Sequence, residues 1–374
     1  MHSSSKLKKQ TIIMPKINMV SQFDFLSDDY KTLFEQSNAT IFQSPFWLDS
    51  LYRKLPEVLD AEAVIVTMHD ETKQQLLMVM PFVRQTKFGV KIMQPADLGI
   101  SDYNSIIVLP EALDALKNQK DLSAQLKQAI GPFDILLFRK QRPESTDISG
   151  ILDGMAKFPN ENSSFEMEMV TPFEEWQRET FSKSTRKGLA RKRRNFDKDI
   201  GDLTFKTLYD PEEIKRAFSF LRRERAIRYP NDLLNKQAYF DFYLDVAINQ
   251  AESGSAVAYV GQANGDIITV DFGLHIEGRH VMLLGTYASD DTYRKYSPGL
   301  QAIMDMMKTR KEQDIQFFDF SIGDEDYKES FGATTMSLYN VILANSLKGR
   351  LASYVYRNNS FLKTLIKKLS PNIR

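Results

Sequence analysis

Residues 256–287 read AVAYVGQANGDIITVDFGLHIEGRHVMLLGTY, and this stretch decides the fold. Three apolar runs follow one another, at residues 256–261, 267–275 and 280–287. Short turns join them at Asn264-Gly265-Asp266 and at Glu277-Gly278, which is a pattern typical of antiparallel hairpins. A helical pattern at residues 298–311 and an apolar run at 315–320 come next. The sequence therefore predicts a three-stranded meander that is followed by a helix and a further strand.

The first half of the chain repeats this order. A helical pattern at residues 28–55 breaks near Pro45, because a proline disfavours helix in the residue before it. Strands are predicted at residues 63–68, 76–84, 90–94, 106–109 and 133–138, and a helix at 111–129. The recurrence predicts an α/β (α+β) fold of two similar units in tandem. Each unit would be a mixed, mainly antiparallel sheet flanked by helices.

The connection between the units is expected at residues 141–164, where periodicity is lost and Pro, Gly, Asn and Ser accumulate. Further elements are predicted between this connection and the meander. They are a helix at 173–181, a strand at 203–208, and helices at 211–225 and 236–250. The predicted organisation has four segments. They are a flexible N-terminal tail at 1–20, an N-terminal domain at 21–160, a C-terminal domain at 161–346 and a basic helical segment at 347–374.

The composition restricts the chemistry. The chain of 374 residues has no cysteine, which excludes disulfides, thiolate metal ligands and a cysteine nucleophile. Its four histidines lack the close spacing of metal ligands, so neither a metal site nor a serine-histidine triad is expected. Lys plus Arg balance Asp plus Glu at 49 each, so only a local patch would attract a polyanion. Residues 76–83 form the longest apolar run, which is too short to cross a bilayer, and a cytoplasmic protein is predicted.

Two motifs follow the meander. Tyr296-Ser297-Pro298-Gly299 opens the predicted helix, and residues 319–328 read DFSIGDEDYK, with Phe331-Gly332 after them. These motifs resemble the patterns Y-x-x-x-S-P-G and D-F-x-x-G-D-E-x-Y-K-x-x-x-G of the CelD-like (BioF2-like) acetyltransferase domain family of the GNAT superfamily. The string FQSPFWL at residues 42–48 and Ser101-Asp102-Tyr103 resemble signatures of that family's N-terminal half. The resemblance implies tandem GNAT-like domains, an architecture similar to that of the FemABX aminoacyltransferases.

The N-terminus of the helix at 298–311 is a candidate phosphate site. Unpaired amides and the positive end of the helix dipole attract anions, proline suits the first helical turn, and glycine lets a ligand approach the backbone. The resemblance implies that the pyrophosphate of acetyl-CoA or another acyl-CoA binds here. The predicted contacts are Tyr296, Ser297, Pro298, Gly299 and Leu300. The alternative is an ordinary capped helix without a ligand.

The second motif is the candidate catalytic segment, since carboxylates, a phenol and an ammonium follow a buried strand at its carboxyl end. Acyl transfer to an amine needs a base for the ammonium proton and an acid for the departing thiolate. Asp319, Asp324 or Glu325 is the predicted base. Tyr327 is the predicted acid, because the resemblance implies a tyrosine acid at about this position, as in many GNAT enzymes. Lys328 would orient a carboxylate or bind an anionic substrate. The alternative is a solvated helix start with an ion pair between Asp324 and Lys328.

Residues 183–198 contain eight Lys and Arg side chains and one acid. This run is a candidate polyanion groove, although few aromatic residues interleave and no stable nucleic-acid complex is expected. A solvated basic helix is the alternative. The predicted substrate contacts are Asp102, Tyr103, Tyr287, Arg191 and Arg194. The basic segment at 347–374 would either rest on an anionic membrane, giving a peripheral location at the inner membrane, or pack on its own domain.

Together these features predict a bacterial acyl-CoA-dependent N-acyltransferase that uses no metal. The family resemblance implies an amino sugar of envelope or extracellular polysaccharide biosynthesis as the acceptor, and a hydroxyl acceptor stays open. One alternative is a FemX-like aminoacyltransferase that uses charged tRNA. Another is a GNAT-fold scaffold without catalytic activity.

Overall fold

The computed structural model describes residues 15–323 and 325–358. Within these ranges the chain forms two compact units. The first contains residues 15–159 and 339–358, and the second contains residues 160–338. The division after Pro159 lies next to the predicted boundary. Residues 339–346, predicted in the C-terminal domain, belong instead to the first unit, because their strand pairs within its sheet.

The secondary structure elements follow in chain order. The elements up to residue 155 are β1 (Pro15–Val20), α1 (Asp28–Gln36), α2 (Pro45–Lys54), β2 (Glu62–Asp70), β3 (Gln75–Lys87), β4 (Val90–Pro95), β5 (Ile107–Val108), α3 (Pro110–Lys117), α4 (Leu122–Ile130) and β6 (Ile135–Gln141). The later elements are β7 (Ala156–Glu168), α5 (Phe173–Thr180), α6 (Lys183–Asp199), β8 (Thr204–Leu208), α7 (Pro211–Arg228), α8 (Gln237–Asn249), β9 (Ala256–Ala263), β10 (Asp266–Ile276), β11 (Arg279–Tyr287), α9 (Asp291–Arg294), α10 (Pro298–Glu312), β12 (Phe317–Ile322), α11 (Tyr327–Ser330), β13 (Thr334–Ala344) and α12 (Leu347–Asn358).

The first unit is built on strands in the order β1, β2, β3, β4, β6 and β13, with β5 paired to β3. Neighbours are antiparallel except β4 and β6, which are parallel. The prediction of a flexible tail was wrong for residues 15–20, which form β1 along the edge of β2. The helix predicted at 111–129 is two helices, α3 and α4.

A carboxylate lies buried in the first unit, just after β4. Asp97 is fully buried, and its oxygens lie 3.2 Å from Arg139 Nη2 and 3.4 Å from Lys140 Nζ. Burial alone would raise its pKa, but the charges of Lys140 and Arg139 prevail and lower the pKa of Asp97 to about 2. This cluster therefore stays ionised inside the unit.

The second unit has strands in the order β7, β12, β11, β10, β9 and β8. Only β11 and β12 are parallel; the other pairs are antiparallel. Each unit thus contains the predicted meander, helix and parallel strand, and the predicted fold class is confirmed. The strand β7 was missed, because its sequence is rich in Asn, Ser and charged residues and was interpreted as the connection.

Helices cover both faces of the meander in the second unit. On one face, Phe272 of β10 packs against Phe218 of α7, with ring centroids 5.3 Å apart. On the other face, the Tyr259 hydroxyl donates to Asp305 of α10 at 2.5 Å. Residues paired across antiparallel strands share a face, so Asp271, the partner of Tyr259, lies on the α10 face.

Candidate functional site

The parallel strands β11 and β12 pair over three residues only. The pairs are Arg279 with Phe317, His280 with Phe318, and Val281 with Asp319. Beyond them β11 continues to Tyr287 and β12 to Ile322, but their register has ended and the strands separate. We call this gap, between residues 282–287 and 320–322, the splay. Open α/β sheets bind ligands in crevices at the carboxyl ends of their strands, so the splay is the candidate site.

Two arginines from the last turn of α7 contact the β11 side of the splay. Arg225 Nη1 donates to the carbonyl oxygen of Gly285 at 3.2 Å. Arg228 Nη2 donates to the carbonyl oxygen of Tyr287 at 2.7 Å. Arg225 forms a buried ion pair with Asp232 at 2.7 Å, whereas Arg228 has no carboxylate partner within the described ranges. Arg228 therefore brings an uncompensated positive charge to the edge of β11, and sequence reasoning missed it.

The N-terminus of α10 lies beside this edge. Its first residue is Pro298, and Ser297 before it adopts the left-handed conformation, with φ 53° and ψ 54°. The Ser297 side chain makes no capping bond to the helix. Since the first turn of a helix has no intrahelical acceptors for its N–H groups, the amides of Gly299 and Leu300 are donors for a ligand here.

The basic helix α6 packs against the same turn. Lys192 Nζ donates to Ser297 Oγ at 2.7 Å, which places a cation next to the α10 N-terminus. The Phe196 ring meets the Tyr296 ring edge-on at 5.4 Å, and the Tyr296 hydroxyl donates to Asp199 at 2.7 Å. The predicted ligand contact Tyr296 is thus buried and serves to hold α6 in place. One cation of the basic run, Lys192, therefore lies at the candidate phosphate site.

The ring of Tyr287 leaves little room for a side chain at the second position of α10. A Cβ atom at Gly299 would lie 3.1 Å from Tyr287 Cδ1, which is tighter than ordinary contact. The other partner of this ring is Arg228, whose guanidinium carbon lies 3.5 Å from the ring centroid. The predicted contacts Tyr287 and Gly299 are therefore brought together, and Arg228 joins them.

The segment after β12 is held by its own side chains. Lys328 Nζ donates to the carbonyl oxygens of Ile322 and Gly323, both at 3.0 Å, and pairs with Glu325 at 2.8 Å. These three acceptors use the three donors of the ammonium, so Lys328 fixes the turn between β12 and α11. Asp324, predicted as a catalytic base, lies outside the described residues.

Asp319 supports the end of β12. It is fully buried, and its Oδ1 accepts a hydrogen bond from the Ser321 amide at 2.7 Å. Ser321 has a positive φ of 62°, which is unfavourable for a residue other than glycine. Asp319 therefore stabilises a strained residue at an irregular part of β12, beside the splay.

Tyr327 and Asp271 carry the remaining polar groups near the splay. Burial, followed by the charges of Glu325, Asp271 and Tyr229, raises the pKa of Tyr327 far above its usual value of 10. Asp271 is 5% exposed, and its Oδ2 has no hydrogen-bond partner among the described residues. Burial raises the pKa of Asp271 from 3.8 to about 8. Tyr327 was predicted as a site residue, whereas Asp271 was missed.

A sequence pattern could have identified Asp271. It is the single carboxylate in the sequence IITVDFGLHI at residues 267–276, which follows Asp266 at the start of β10. Charged residues are almost never fully buried without a partner, so a lone carboxylate in a central strand is a marker of function. Its proximity to Tyr327 depends on strand register and could not have been inferred.

The other predicted contacts lie elsewhere in their units. Arg191 and Arg194 are on the exposed face of α6. In the first unit Tyr103 is buried, and its ring meets that of Phe42 at 5.6 Å, while Asp102 is half-buried. The substrate roles of these four residues stay predictions.

The basic C-terminal segment begins with a helix. Of residues 347–374, the first twelve form α12, and residues 359–374 lie outside the described ranges. Leu347, Leu351 and Tyr354 are exposed on α12, whereas Tyr356 is buried.

No helix within residues 15–323 and 325–358 combines the length and apolar character needed to cross a membrane. In the same ranges no group of three or more His, Asp or Glu side chains is arranged to hold a metal ion.

Known proteins share parts of this sequence and its fold. Residues 183–329 match the family model described as "Acetyltransferase (GNAT) domain". Comparison with curated proteins gives no match. Similar solved structures include FemX, with a TM-score of 0.60 and 11% identity over 87% of this chain and 96% of that one. Another is the C-terminal domain (DUF2156) of a lysylphosphatidylglycerol synthetase from Agrobacterium fabrum, with a TM-score of 0.53 and 12% identity over 87% and 95% of the two chains. A third, L-PGS from Bacillus licheniformis, has a TM-score of 0.51 and 11% identity over 88% and 94%.

The identities are low, so these structures establish the fold alone. The region matched by the family model begins with α6 and ends in α11, and it therefore contains both the α10 N-terminus and the splay. Residues 183–329 of the second unit are therefore similar to a GNAT acetyltransferase domain, and the fold resembles those of FemX and of the DUF2156 domain of the lysylphosphatidylglycerol synthetase.

Proposed function

We propose that this protein is an acyl-CoA-dependent N-acyltransferase of GNAT type, which moves an acetyl or other acyl group from a thioester to an amine. The observation that carries the proposal is the cationic helix N-terminus beside the splay. The free amides of Gly299 and Leu300 and the ammonium of Lys192 lie together at this N-terminus, and the guanidinium of Arg228 contacts the same Tyr287 ring that Gly299 faces. That combination suits the phosphate groups of coenzyme A.

The transfer chemistry would occur in the splay. An acyl thioester whose phosphates lie at the α10 N-terminus would extend its reactive end between β11 and β12. The Tyr327 hydroxyl, whose pKa is raised by burial and by nearby negative charge, stays protonated and would donate to the departing thiolate. Asp319 and Lys328 would act by holding the strand end and the turn that position Tyr327.

The proposal also includes an acceptor and a pathway. The resemblance to the CelD-like branch supports an amino sugar in bacterial envelope or extracellular polysaccharide biosynthesis, with transfer to a hydroxyl as a variant. A cytoplasmic enzyme that rests on the inner membrane suits that pathway. The exposed apolar side chains of α12 lie among basic residues and support a peripheral membrane contact.

The second candidate is an aminoacyltransferase that uses charged tRNA. It is favoured by the fold shared with FemX and by the exposed basic face of α6, which includes Arg191 and Arg194. RNA phosphates would contact that face and would not need the α10 N-terminus. A scaffold without catalytic activity would bind neither acyl-CoA nor charged tRNA as a donor.

Calorimetric titration of the purified protein with acetyl-CoA tests the proposal, with an intact charged tRNA as the parallel ligand. Gly299→Asp should weaken acetyl-CoA binding at least tenfold, because a carboxylate at the α10 N-terminus repels phosphate. Gly299→Ala is the matched control, since it adds the same Cβ atom against Tyr287 without the charge. If the two variants bind equally well, the phosphate assignment is wrong. Binding of tRNA without acetyl-CoA binding would favour the aminoacyltransferase.

A further inference from the structure

Asp271 is a buried carboxyl group that packing does not explain. It lies in the middle of β10, paired with Tyr259 of β9 and Gly285 of β11. Its Oδ2 atom has no hydrogen-bond partner within the described residues. Buried polar groups are nearly always hydrogen-bonded, and a buried carboxyl without a partner destabilises the fold. A role outside packing is therefore needed.

The carboxyl group points over a residue that has no side chain. A Cβ atom at Gly285 would lie 2.6 Å from Oδ1 of Asp271, so the carboxyl occupies the space that a side chain at residue 285 would fill. Gly285 belongs to the part of β11 that has separated from β12. The Asp271 carboxyl therefore reaches across β11 toward the splay.

Titratable groups near Asp271 come from three elements. On β9, Tyr259 lies on the same face, and its hydroxyl donates to Asp305 of α10. From α7, Arg225 contacts the Gly285 backbone and is neutralised by its ion pair with Asp232. From α11, Tyr327 lies within electrostatic reach, because the charge of Asp271 contributes to its raised pKa. The pKa of Asp271 itself is raised to about 8 by burial.

We propose that Asp271 is the proton acceptor of the transfer reaction, taking a proton from the acceptor ammonium so that the neutral amine nitrogen can attack the thioester carbonyl. The inference rests on the acyl-CoA-dependent activity proposed above. A carbon–nitrogen bond forms and the carbon–sulfur bond breaks. Of the three ammonium protons, one passes to Asp271, one stays in the amide, and one reaches the sulfur through the Tyr327 hydroxyl. Asp271 then releases its proton to water.

Asp271 suits this role better than the carboxylates predicted from the sequence. Asp319 Oδ1 is used by the Ser321 amide, and Glu325 is exposed and paired with Lys328. A general base is most effective when its pKa lies near the working pH. The pKa of about 8 for Asp271 meets this condition at neutral to mildly alkaline pH.

The test follows release of coenzyme A from acetyl-CoA by the full-length protein between pH 6 and pH 10. Water alone is the first acceptor and glucosamine is the second. The isosteric change Asp271→Asn should lower the rate at least about a hundredfold with unchanged acetyl-CoA affinity. It should also abolish the rise in kcat/KM centred near pH 8. Asp266→Asn is the control, because Asp266 is an exposed carboxylate on the same strand.

The outcomes separate the two proposals. If Asp271→Asn releases coenzyme A as fast as wild type with both acceptors, Asp271 is not the proton acceptor and the proposed function stands. If wild type binds acetyl-CoA but releases none, the splay is not a transfer site, and the inference is overturned while donor binding stands. If wild type neither binds nor turns over acetyl-CoA, both proposals fall.

An infrared titration gives a second readout that a merely structural carboxyl would not supply. Wild type should show a protonated-carboxyl C=O band that disappears near pH 8 and shifts when the donor site is filled with coenzyme A. The band should be missing from Asp271→Asn. A band that is insensitive to coenzyme A would contradict the placement of Asp271 at the splay.

Discussion

Replacing Asp271 by Asn should stabilise the second unit, and the gain should grow with pH. The wild-type carboxyl is buried, and its Oδ2 has no hydrogen-bond partner in the part of the chain that the structure describes, so ionising it in the folded state is unfavourable. Asn has nearly the same shape and no proton to lose. The variant therefore removes the cost of ionisation and leaves the packing in place.

The pKa of Asp271 gives the magnitude and the sign. Burial raises it from 3.8 to about 8, so between these values the folded state keeps a proton that the unfolded state has released. The stabilisation from this group is complete below pH 4 and is lost as pH rises through 8. A gap of about four units corresponds to on the order of 5 kcal/mol in the free energy of unfolding. The difference between variant and wild type should approach this value by pH 9.

The two tryptophans allow the measurement to be confined to the second unit. Trp47 lies in the first unit and Trp176 in the second. In a Trp47→Phe background, urea unfolding followed by Trp176 fluorescence reports the second unit alone. The titration runs from pH 4.5 to pH 9 on wild type and Asp271→Asn, with Asp266→Asn as the exposed control. The other carboxyl groups of the unit are common to both proteins and cancel in the difference.

A constant difference between Asp271→Asn and wild type across this pH range would refute the reasoning. It would mean that the carboxyl ionises as easily in the folded unit as in the unfolded chain. The burial of Asp271 would then not be maintained in solution. A difference that grows equally for Asp266→Asn would point to general charge repulsion instead of this one carboxyl.

Two further changes test other parts of the molecule. Lys192→Ala should weaken acetyl-CoA binding roughly tenfold in calorimetry, because a charged hydrogen bond contributes about 1.5–3 kcal/mol, while Lys198→Ala on the exposed face of the same helix should bind normally. Equal affinities would remove Lys192 from the phosphate site. Asp97→Asn should destabilise the first unit by about 3–5 kcal/mol, read from Trp47 fluorescence, since Arg139 and Lys140 lose their buried counterion. Since the pKa of Asp97 is lowered from 3.8 to about 2, its ionisation contributes roughly 2–3 kcal/mol above pH 4, and wild type should lose this part as pH falls through 2. A variant as stable as wild type at neutral pH would contradict the assignment.

The elements with strong periodicity could be predicted from the sequence, and the others could not. The strands of the meander and the helix after it have apolar alternation or helical spacing that depends on local residues alone. By contrast, β7 and β13 were not predicted. β7 carries Pro159 and several Asn and Ser residues, and its strand form comes from pairing with β12, a partner distant in sequence. Such pairing overrides local propensity.

The candidate site divides in the same way. Ser297 and Gly299 were predicted because a helix N-terminus has a local sequence pattern. Tyr327 was predicted from the family resemblance. Arg228 and Asp271 were missed because their positions depend on how α7 ends against β11 and on strand register. Neither relation can be read from the residues around them.

The pairing of Asp271 with Gly285 restricts how the two residues can change during evolution. The carboxyl fills the space above a residue without a side chain, so neither position can change freely while the other is kept. Among relatives, a larger residue at 285 should be found only where 271 has lost its carboxyl, and lineages that have abandoned transfer should be free to replace both. The two sites would then change together across descent.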